Sequence, residues 1–245
     1  MRVGLLSDVH GNLPALEAVL EACSIRTDAL WCLGDTVGYG ASPNECAALV
    51  RERCELVLAG NHDLAATGRV DFSAFSSDAG RAIRWTREVL SADVEGWLAE
   101  LPSAVDRGPV GLYHGSPRDP IWEYISGPVV AAENFEAYET RLCLFGHTHL
   151  PVAFRAVDGE IDGTIGLPGT SARLGPERAM LNPGSVGQPR DGLRDAAYAV
   201  LDLDPGSDTN TFEFRRVRYD IDRTQRLMRE VGLPARLVER LSYGR

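Results

Sequence analysis

With 245 residues, 44% of them hydrophobic and 24% charged, the chain has the composition of an ordinary globular protein with a substantial core. Its net charge of −10 supplies no basic field for polymeric nucleic acid or an anionic membrane. All 25 cationic residues are arginine, which excludes any mechanism that needs a lysine, such as a Schiff base or a phosphate-loop lysine.

The chain opens on Met1-Arg2-Val3-Gly4-Leu5-Leu6, which goes straight into a strand without the apolar region and cleavage site of a signal peptide. Val3 to Leu6 is the first expected strand, and Asn12 with Pro14 opens a helix to about Ala22. Ala29 to Leu33 is a second strand. Ser42-Pro43-Asn44-Glu45 has the pattern of a capping box with proline at the first helical position, and that helix runs to about Arg53. Leu56 to Ala59 is a third strand. Strands alternating with helices of this length predict a largely parallel sheet.

Residues 64 to 101 carry no strand signal and are expected to be helical. Ala74 to Leu90 forms one helix, and Ser91 caps a shorter one that ends at Pro102. Val110 to Tyr113 and Leu142 to Phe145 are short buried strands with a helix near Ala131 to Tyr138 between them. After Pro151 the pattern changes to mostly antiparallel strands: Val152 to Val157, Gly159 to Leu167, Ala179 to Leu181, Ala197 to Leu203 and Thr211 to Tyr219. Asp204-Pro205-Gly206-Ser207-Asp208 reads as a turn. Helices from about Asp222 and about Pro234 close the chain. No repeat or linker appears, so one domain is expected over 1–245, with a helical insertion at 64–101 and C-terminal helices at 222–245. The five cysteines show no Cys-x-x-Cys spacing and sit mostly in apolar runs, as reduced core residues of a cytoplasmic protein would. No apolar run reaches the ~18 residues of a membrane span.

Five of the expected strands end in polar clusters: Ser7-Asp8-Val9-His10, Gly34-Asp35, Gly60-Asn61-His62-Asp63, His114-Gly115 and Gly146-His147-Thr148-His149. In sheets fed by crossover helices, ligands bind beyond the carboxyl ends of the strands, so the shared position implies convergence on one edge. All five histidines of the chain fall inside these clusters. A purely structural set would scatter some of them onto helix surfaces and loops. Asp, His and Asn without cysteine form an oxygen-and-nitrogen donor set suited to Mn²⁺, Fe, Zn²⁺ or Mg²⁺ rather than to a thiolate zinc site. Two aspartates, four histidines besides His62, and Asn61 are too many ligands for one ion. They fit two ions sharing a carboxylate, an arrangement that clamps a phosphoryl group and acidifies a shared water.

In this order, Asp8-x-His10, Gly34-Asp35, Gly60-Asn61-His62-Asp63, His114 and Gly146-His147-Thr148-His149 resemble the calcineurin-like metallophosphoesterase superfamily. Val9-His10-Gly11-Asn12-Leu13 and the stretch from Leu181 to Arg190 resemble its small bacterial and archaeal branch of YfcE-type phosphodiesterases. The resemblance implies a four-layer α/β/β/α sandwich of two mixed sheets. It also implies one ion on Asp8, His10, Asp35 and His149, and a second on Asp35, Asn61, His114 and His147, with Asp35 bridging. Manganese is the expected metal, with iron, zinc, nickel and magnesium as the other members of the set. A bridging hydroxide would attack phosphorus in line, and His62 would protonate or hydrogen-bond the leaving oxygen.

The chain departs from the protein-phosphatase pattern of that superfamily, in which an aspartate three residues after the bridging aspartate orients the histidine and an arginine follows it. Gly38 and Tyr39 stand at those positions here, which leaves open what orients His62. Arg118 and Arg190 follow motif positions and are candidate phosphate clamps, with a surface ion pair as the alternative for each. Asn12 is expected to cap its helix. Tyr39 and Tyr124 are expected to pack, with contact to a substrate base or aryl group as the alternative. The expected function is therefore a dinuclear-metal phosphodiesterase acting on a small phosphoester. A phosphomonoesterase or phosphoprotein phosphatase, and a non-catalytic protein-binding scaffold on the same fold, are the alternatives. Retention of every ligand position and of His62 argues against the scaffold.

Overall fold

The computed structural model describes residues 1–245 apart from 72, 74 and 205–209. The turn expected from Asp204 to Asp208 and the Ala74 start of a helix therefore fall wholly or partly outside the described residues. The strands form two six-stranded mixed sheets. In the first, β1 (Arg2–Leu6), β2 (Ala29–Cys32) and β3 (Leu56–Val57) are parallel. β11 (Ala196–Asp202), β12 (Asn210–Val217) and β9 (Ser171–Leu174) continue it antiparallel from β1. In the second sheet, β5 (Val110–Tyr113), β6 (Leu142–Phe145) and β10 (Ala179–Pro183) are parallel. Around them β4 (Ala104–Arg107) pairs antiparallel with β5, β7 (Pro151–Val157) with β10, and β8 (Glu160–Ile165) with β7.

The two-residue period of the strands places the layers. Val3, Leu5, Trp31 and Leu33 of one sheet meet Val110, Leu112, Leu142, Leu144 and Leu181 of the other in a shared core. Leu6, Leu30, Cys32, Tyr198 and Val200 point to the opposite face and bury α1 (Leu13–Ser24) and α2 (Pro43–Arg53). Cys143, Phe145, Phe154 and Met180 do the same for α6 (Pro128–Phe135). The result is the α/β/β/α sandwich expected from the sequence.

The helical stretch holds α3 (Asn61–Ala66), α4 (Ser77–Val89) and α5 (Ala92–Glu100), and Ser91 caps α5 through Val94 N at 3.3 Å. Two expectations need correction. Ser42 makes no side-chain capping bond, so the capping box is absent from α2. Asn44 instead binds Val89 O and Ser91 N, tying α2 to the end of α4. Strands β4 and β9 are unexpected. Both are short edge strands without an apolar run, and their partners β5 and β12 set their conformation. Finally α7 (Ile221–Glu230) and α8 (Ala235–Arg240) pack with α4 and Tyr39 in a separate cluster containing Met228, Leu237 and Leu241. Among the described residues no helix is long and apolar enough to cross a membrane.

Candidate metal centre

Because β1, β2 and β3 are parallel, their carboxyl ends lie on one edge, and the same holds for β5, β6 and β10 in the facing sheet. The two edges meet where His147 N donates to Asp8 Oδ2 at 3.2 Å. All five polar clusters converge there, and Asp8, His10, Asp35, Asn61, His62, His114, His147 and His149 are all buried.

The backbone is bent to achieve this. Asp8, His10, Asp35, Tyr39, His147 and His149 all have positive φ, between 49° and 63°. Asp158, in a hairpin turn, is the one other non-glycine residue of this kind among the described residues. Such conformations cost on the order of 1–3 kcal/mol each and persist where the surroundings over-determine them. At His147 and His149 the consequence is direct. A regular strand would point both rings the same way, whereas the left-handed residues splay them into two different donor groups.

The first group is Asp8 Oδ1, His10 Nε2, His149 Nε2 and Asp35 Oδ2. His10 Nε2 is 3.1 Å from His149 Nε2, 3.6 Å from Asp35 Oδ2 and 3.9 Å from Asp8 Oδ1. His149 Nε2 is 3.3 Å from Asp8 Oδ1. The second group gathers around His114 Nε2, which lies 3.2 Å from Asn61 Oδ1, 3.2 Å from His147 Nδ1 and 3.4 Å from the same Asp35 Oδ2. Asp35 thus belongs to both groups through one oxygen. Its other oxygen accepts from His62 N at 2.8 Å.

These residues fit divalent metal on two observations. Among the described residues Asp8 Oδ1 and Asp35 Oδ2, both buried carboxylate oxygens, have no hydrogen-bond partner, a costly state unless a cation is supplied. The outward ring nitrogens all face main-chain carbonyls: His10 Nδ1 to Val37 O, His114 Nδ1 to Leu33 O, His149 Nδ1 to Gln188 O and His147 Nε2 to Trp122 O. A carbonyl only accepts, so those nitrogens carry the hydrogen, and a neutral ring turns a bare lone pair inward. The bare nitrogens of His10 and His149, 3.1 Å apart, repel unless positive charge lies between them. Burial keeps His10, His147 and His149 deprotonated, His147 down to about 3. His114 differs. Burial opposes its charge, but the Asp35 carboxylate pulls it up to about 9, a proton in a place that calls for a cation. Burial would likewise raise Asp35, and His114, His62 and His10 around it hold it low instead. Asp8 is pushed up to about 7 by burial.

Among the described residues no carboxylate accepts a hydrogen bond from the His62 ring. Asp63 is turned away, accepting from Gly60, Thr36 and Val37 N–H groups at 2.9–3.2 Å. The ring is held sterically, with Tyr39, His10 and Phe75 centroids 4.4, 4.7 and 4.9 Å away. Gly38, at φ +91°, closes the remaining side, where a Cβ would come 2.5 Å from His62 Nδ1. That nitrogen is buried and unpartnered, and burial lowers the ring to about 4.

Of the two arginines singled out from the sequence, only Arg190 borders the centre. Its Nη2 donates to Tyr39 OH at 3.4 Å and Gln188 Oε1 at 3.0 Å. Arg118 is engaged elsewhere, paired with Glu123 and, at 2.6 Å, with Glu133. Tyr124 stacks on His147 with centroids 4.0 Å apart. Asn12 caps α1 as expected, and also donates to Gly187 O at 2.9 Å. The supporting residues that sequence reasoning missed lie between Asn182 at the end of β10 and Gln188 in the loop that follows. Asn182 Nδ2 donates to Gly146 O at 2.7 Å and to Thr148 Oγ1 at 3.1 Å. Ser185 Oγ donates to Asp8 O at 2.8 Å. Their signal was the Asn-Pro-Gly-Ser string itself, whose short polar side chains bond main chain.

A family model for the calcineurin-like phosphoesterase superfamily domain matches residues 1–206, and the chain belongs to that superfamily. It is 36% identical over 250 residues to an uncharacterized protein of Methanocaldococcus jannaschii, covering 99% of this chain and 98% of that one. To the phosphodiesterase YfcE of Escherichia coli it is 29% identical over 218 residues, covering 83% and 89%. The crystal structure of a metallophosphoesterase from Sphaerobacter thermophilus superposes with a TM-score of 0.89 at 43% identity, covering 100% and 99%.

Proposed function

We propose that this phosphoesterase is a two-metal phosphodiesterase of small substrates. The observation that carries the reading is Asp35 Oδ2, buried, shared by the two donor groups and 3.4–3.6 Å from one imidazole of each. One ion would be held by Asp8, His10, His149 and Asp35, the other by Asn61, His114, His147 and Asp35. Two divalent ions in such a set, manganese by preference, supply Lewis acidity to phosphoryl oxygens and lower the pKa of water.

The chain's own residues do the rest. The carbonyls of Leu33, Val37, Trp122 and Gln188 fix each imidazole's tautomer and aim its lone pair. His62 faces the same space and serves the leaving oxygen. Burial keeps it neutral before substrate arrives, and an anionic phosphoryl group beside it raises its proton affinity. Protonation of His62 is thereby coupled to substrate binding. Gly38 and Tyr39 stand where the protein phosphatases of the superfamily carry an aspartate and an arginine, and the loss of that pair disfavours a phosphoprotein monoester. The phosphodiesterase relative supports the same preference. A cytoplasmic location belongs to the same proposal and agrees with the free cysteines found among the described residues.

The test is metal analysis of the purified protein followed by hydrolysis of bis-p-nitrophenyl phosphate and p-nitrophenyl phosphate with Mn²⁺ or Ni²⁺ supplied. The diester should be the better substrate. Hydrolysis of neither would overturn the enzymatic reading, and a faster monoester would overturn the diester assignment.

A further inference from the structure

The connection between β5 and α6 is fixed by its own polar groups. Gly115 N donates to Pro120 O at 2.8 Å and Ser116 N to Asp119 O at 3.0 Å. The Asp119 carboxylate accepts from Ile121 N at 3.0 Å and from Trp122 N at 3.1 Å. Glu123 is turned toward α6, accepting from Asn134 Nδ2 at 2.8 Å and from Ser116 Oγ at 2.6 Å. Arg118 completes this brace by pairing with Glu123.

The two residues that flank Glu123 reach the metal centre instead. Trp122 O faces His147 Nε2 at 3.3 Å, and the Tyr124 ring stacks on His147 with centroids 4.0 Å and planes 14° apart. One face of Tyr124 is used in this way, and the residue stays 48% exposed, so the other face is open. The Trp122 ring meets Phe75, which directly precedes the N-cap of α4, edge to face at 5.3 Å. Phe75 in turn stands 4.9 Å from the His62 ring. Trp122 and Phe75 are half-buried, so none of the three rings is sealed in a core. A row of aromatic side chains thus runs from His62 to His147 along one side of the centre.

We propose that Phe75, Trp122 and Tyr124 form a clasp for a planar aromatic ring carried by the leaving alcohol of the substrate. The inference rests on the two-metal reading with His62 at the leaving oxygen, which puts the group attached to that oxygen beside Phe75 and Trp122. Two rings set edge to face, with a third open on one side, suit another ring, because offset and edge-to-face contacts add to what buried area alone provides. Trp122 and Tyr124 stand on backbone already fixed by Asp119 and Glu123, so little freedom is lost when a ligand ring enters. The three are then specificity-determining residues, and they narrow the substrate from any small diester to one whose departing arm is aryl or heteroaryl.

Pairs of singly charged esters with one hydrolysable bond each test it, with rates corrected for spontaneous hydrolysis. The Mn²⁺-loaded protein should favour benzyl methylphosphonate over cyclohexylmethyl methylphosphonate about fivefold in kcat/KM, as ring-on-ring contacts allow. Thymidine 5′-methylphosphonate against its base-free 1,2-dideoxyribose counterpart asks the same of a nucleobase, and the pair that shows the preference identifies the ring. A corrected ratio of one in both pairs overturns the clasp. Trp122→Leu should bring the ratio toward unity, and Trp122→Phe should retain part of it. Tyr124→Leu, at an exposed position that the fold tolerates, should also lower it, and a ratio unchanged in both leucine variants overturns the proposal. Binding to the wild-type protein supplies a readout independent of turnover. Methyl(2-phenylethyl)phosphinate, in which carbon replaces the ester oxygen, should bind more tightly by isothermal titration than methyl(2-cyclohexylethyl)phosphinate. That preference without hydrolysis of any ester would sink the two-metal reading and leave the clasp standing. Hydrolysis at equal corrected rates with equal phosphinate affinities would sink the clasp and leave the two-metal reading standing.

Discussion

His62 is the residue on which chemistry and packing separate most cleanly. It offers no hydrogen bond to a carboxylate, and its ring is located by Tyr39, His10, Phe75 and the bare backbone of Gly38. His62→Ala should therefore lower turnover by roughly 10²–10⁴, the usual range for a lost general acid. Metal content by elemental analysis should stay near that of wild type, because Asn61 and not His62 completes the second donor group. Unaltered turnover would remove His62 from the reaction. Gly38→Ala tests the steric half of the same idea. The added methyl would meet His62 Nδ1 at 2.5 Å on a backbone with φ +91°, so the ring must shift. Turnover should fall with metal retained, and stability should drop by about 1 kcal/mol or more. A Gly38→Ala enzyme as active as wild type would show that the position of His62 is not set by this glycine. Legibility ran out at this point, since the sequence showed that the orienting aspartate is missing but not what replaces it. Ring-on-ring contacts across residues 10, 39, 62 and 75 have no spacing that a sequence displays.

The strands and their terminal turns were far easier to read than the pieces around them. β1, β2 and β6 alternate apolar residues between two buried layers, so both their existence and their polar carboxyl ends were visible before any coordinates. β4 and β9 were not, because an edge strand of mixed polarity takes its conformation from its neighbour. The capping box at Ser42 failed for a related reason: Asn44 found tertiary partners at the end of α4, which no local pattern encodes. The end of β10 shows how such partners matter for the centre. Asn182 donates to Gly146 O and Thr148 Oγ1, bracing the turn that splays His147 from His149. Asn182→Ala strands a buried carbonyl and should cost about 1–3 kcal/mol of stability by denaturant titration. Metal affinity should also weaken, by about 10–100-fold, as is usual when support for ligating residues is lost. Should isothermal titration find wild-type affinity in the variant, the turn is rigid without this brace.

Folding buries a set of donors that a cation would reconcile, so on the two-metal reading the stability of the protein should depend on metal and on pH together. In the metal-free protein, His10, His62, His147 and His149 have folded pKa values below their unfolded value near ~6.5, His62 at about 4 and His147 at about 3. Groups depressed in this way cost nothing above the unfolded pKa. Below it the unfolded chain takes protons that the folded one refuses, so stability falls with pH. Asp8 and Asp63 act oppositely. Burial raises each to about 7, so the folded state retains protons that the unfolded chain releases, and stability is lost as pH rises toward 7. His114, raised to about 9, stabilises below its unfolded value and loses that contribution as pH climbs through 9. Four histidines outnumber two aspartates between pH 4 and 6.5, so the metal-free protein should weaken on acidification. Bound metal takes the same inward lone pairs and keeps Asp8 and Asp35 ionised, so protons compete with it directly. Melting curves in EDTA and in excess Mn²⁺ should consequently diverge most near pH 7.5. At a free-metal concentration of 100 Kd the added stability is about 2.7 kcal/mol. The gap should narrow as pH falls to 5, where the metal must displace a proton from Asp8 as well as from His114. A gap of the same size at pH 5 and pH 7.5 would mean that the metal binds outside this histidine and aspartate set. No gap at either pH would mean that the buried donors hold no manganese.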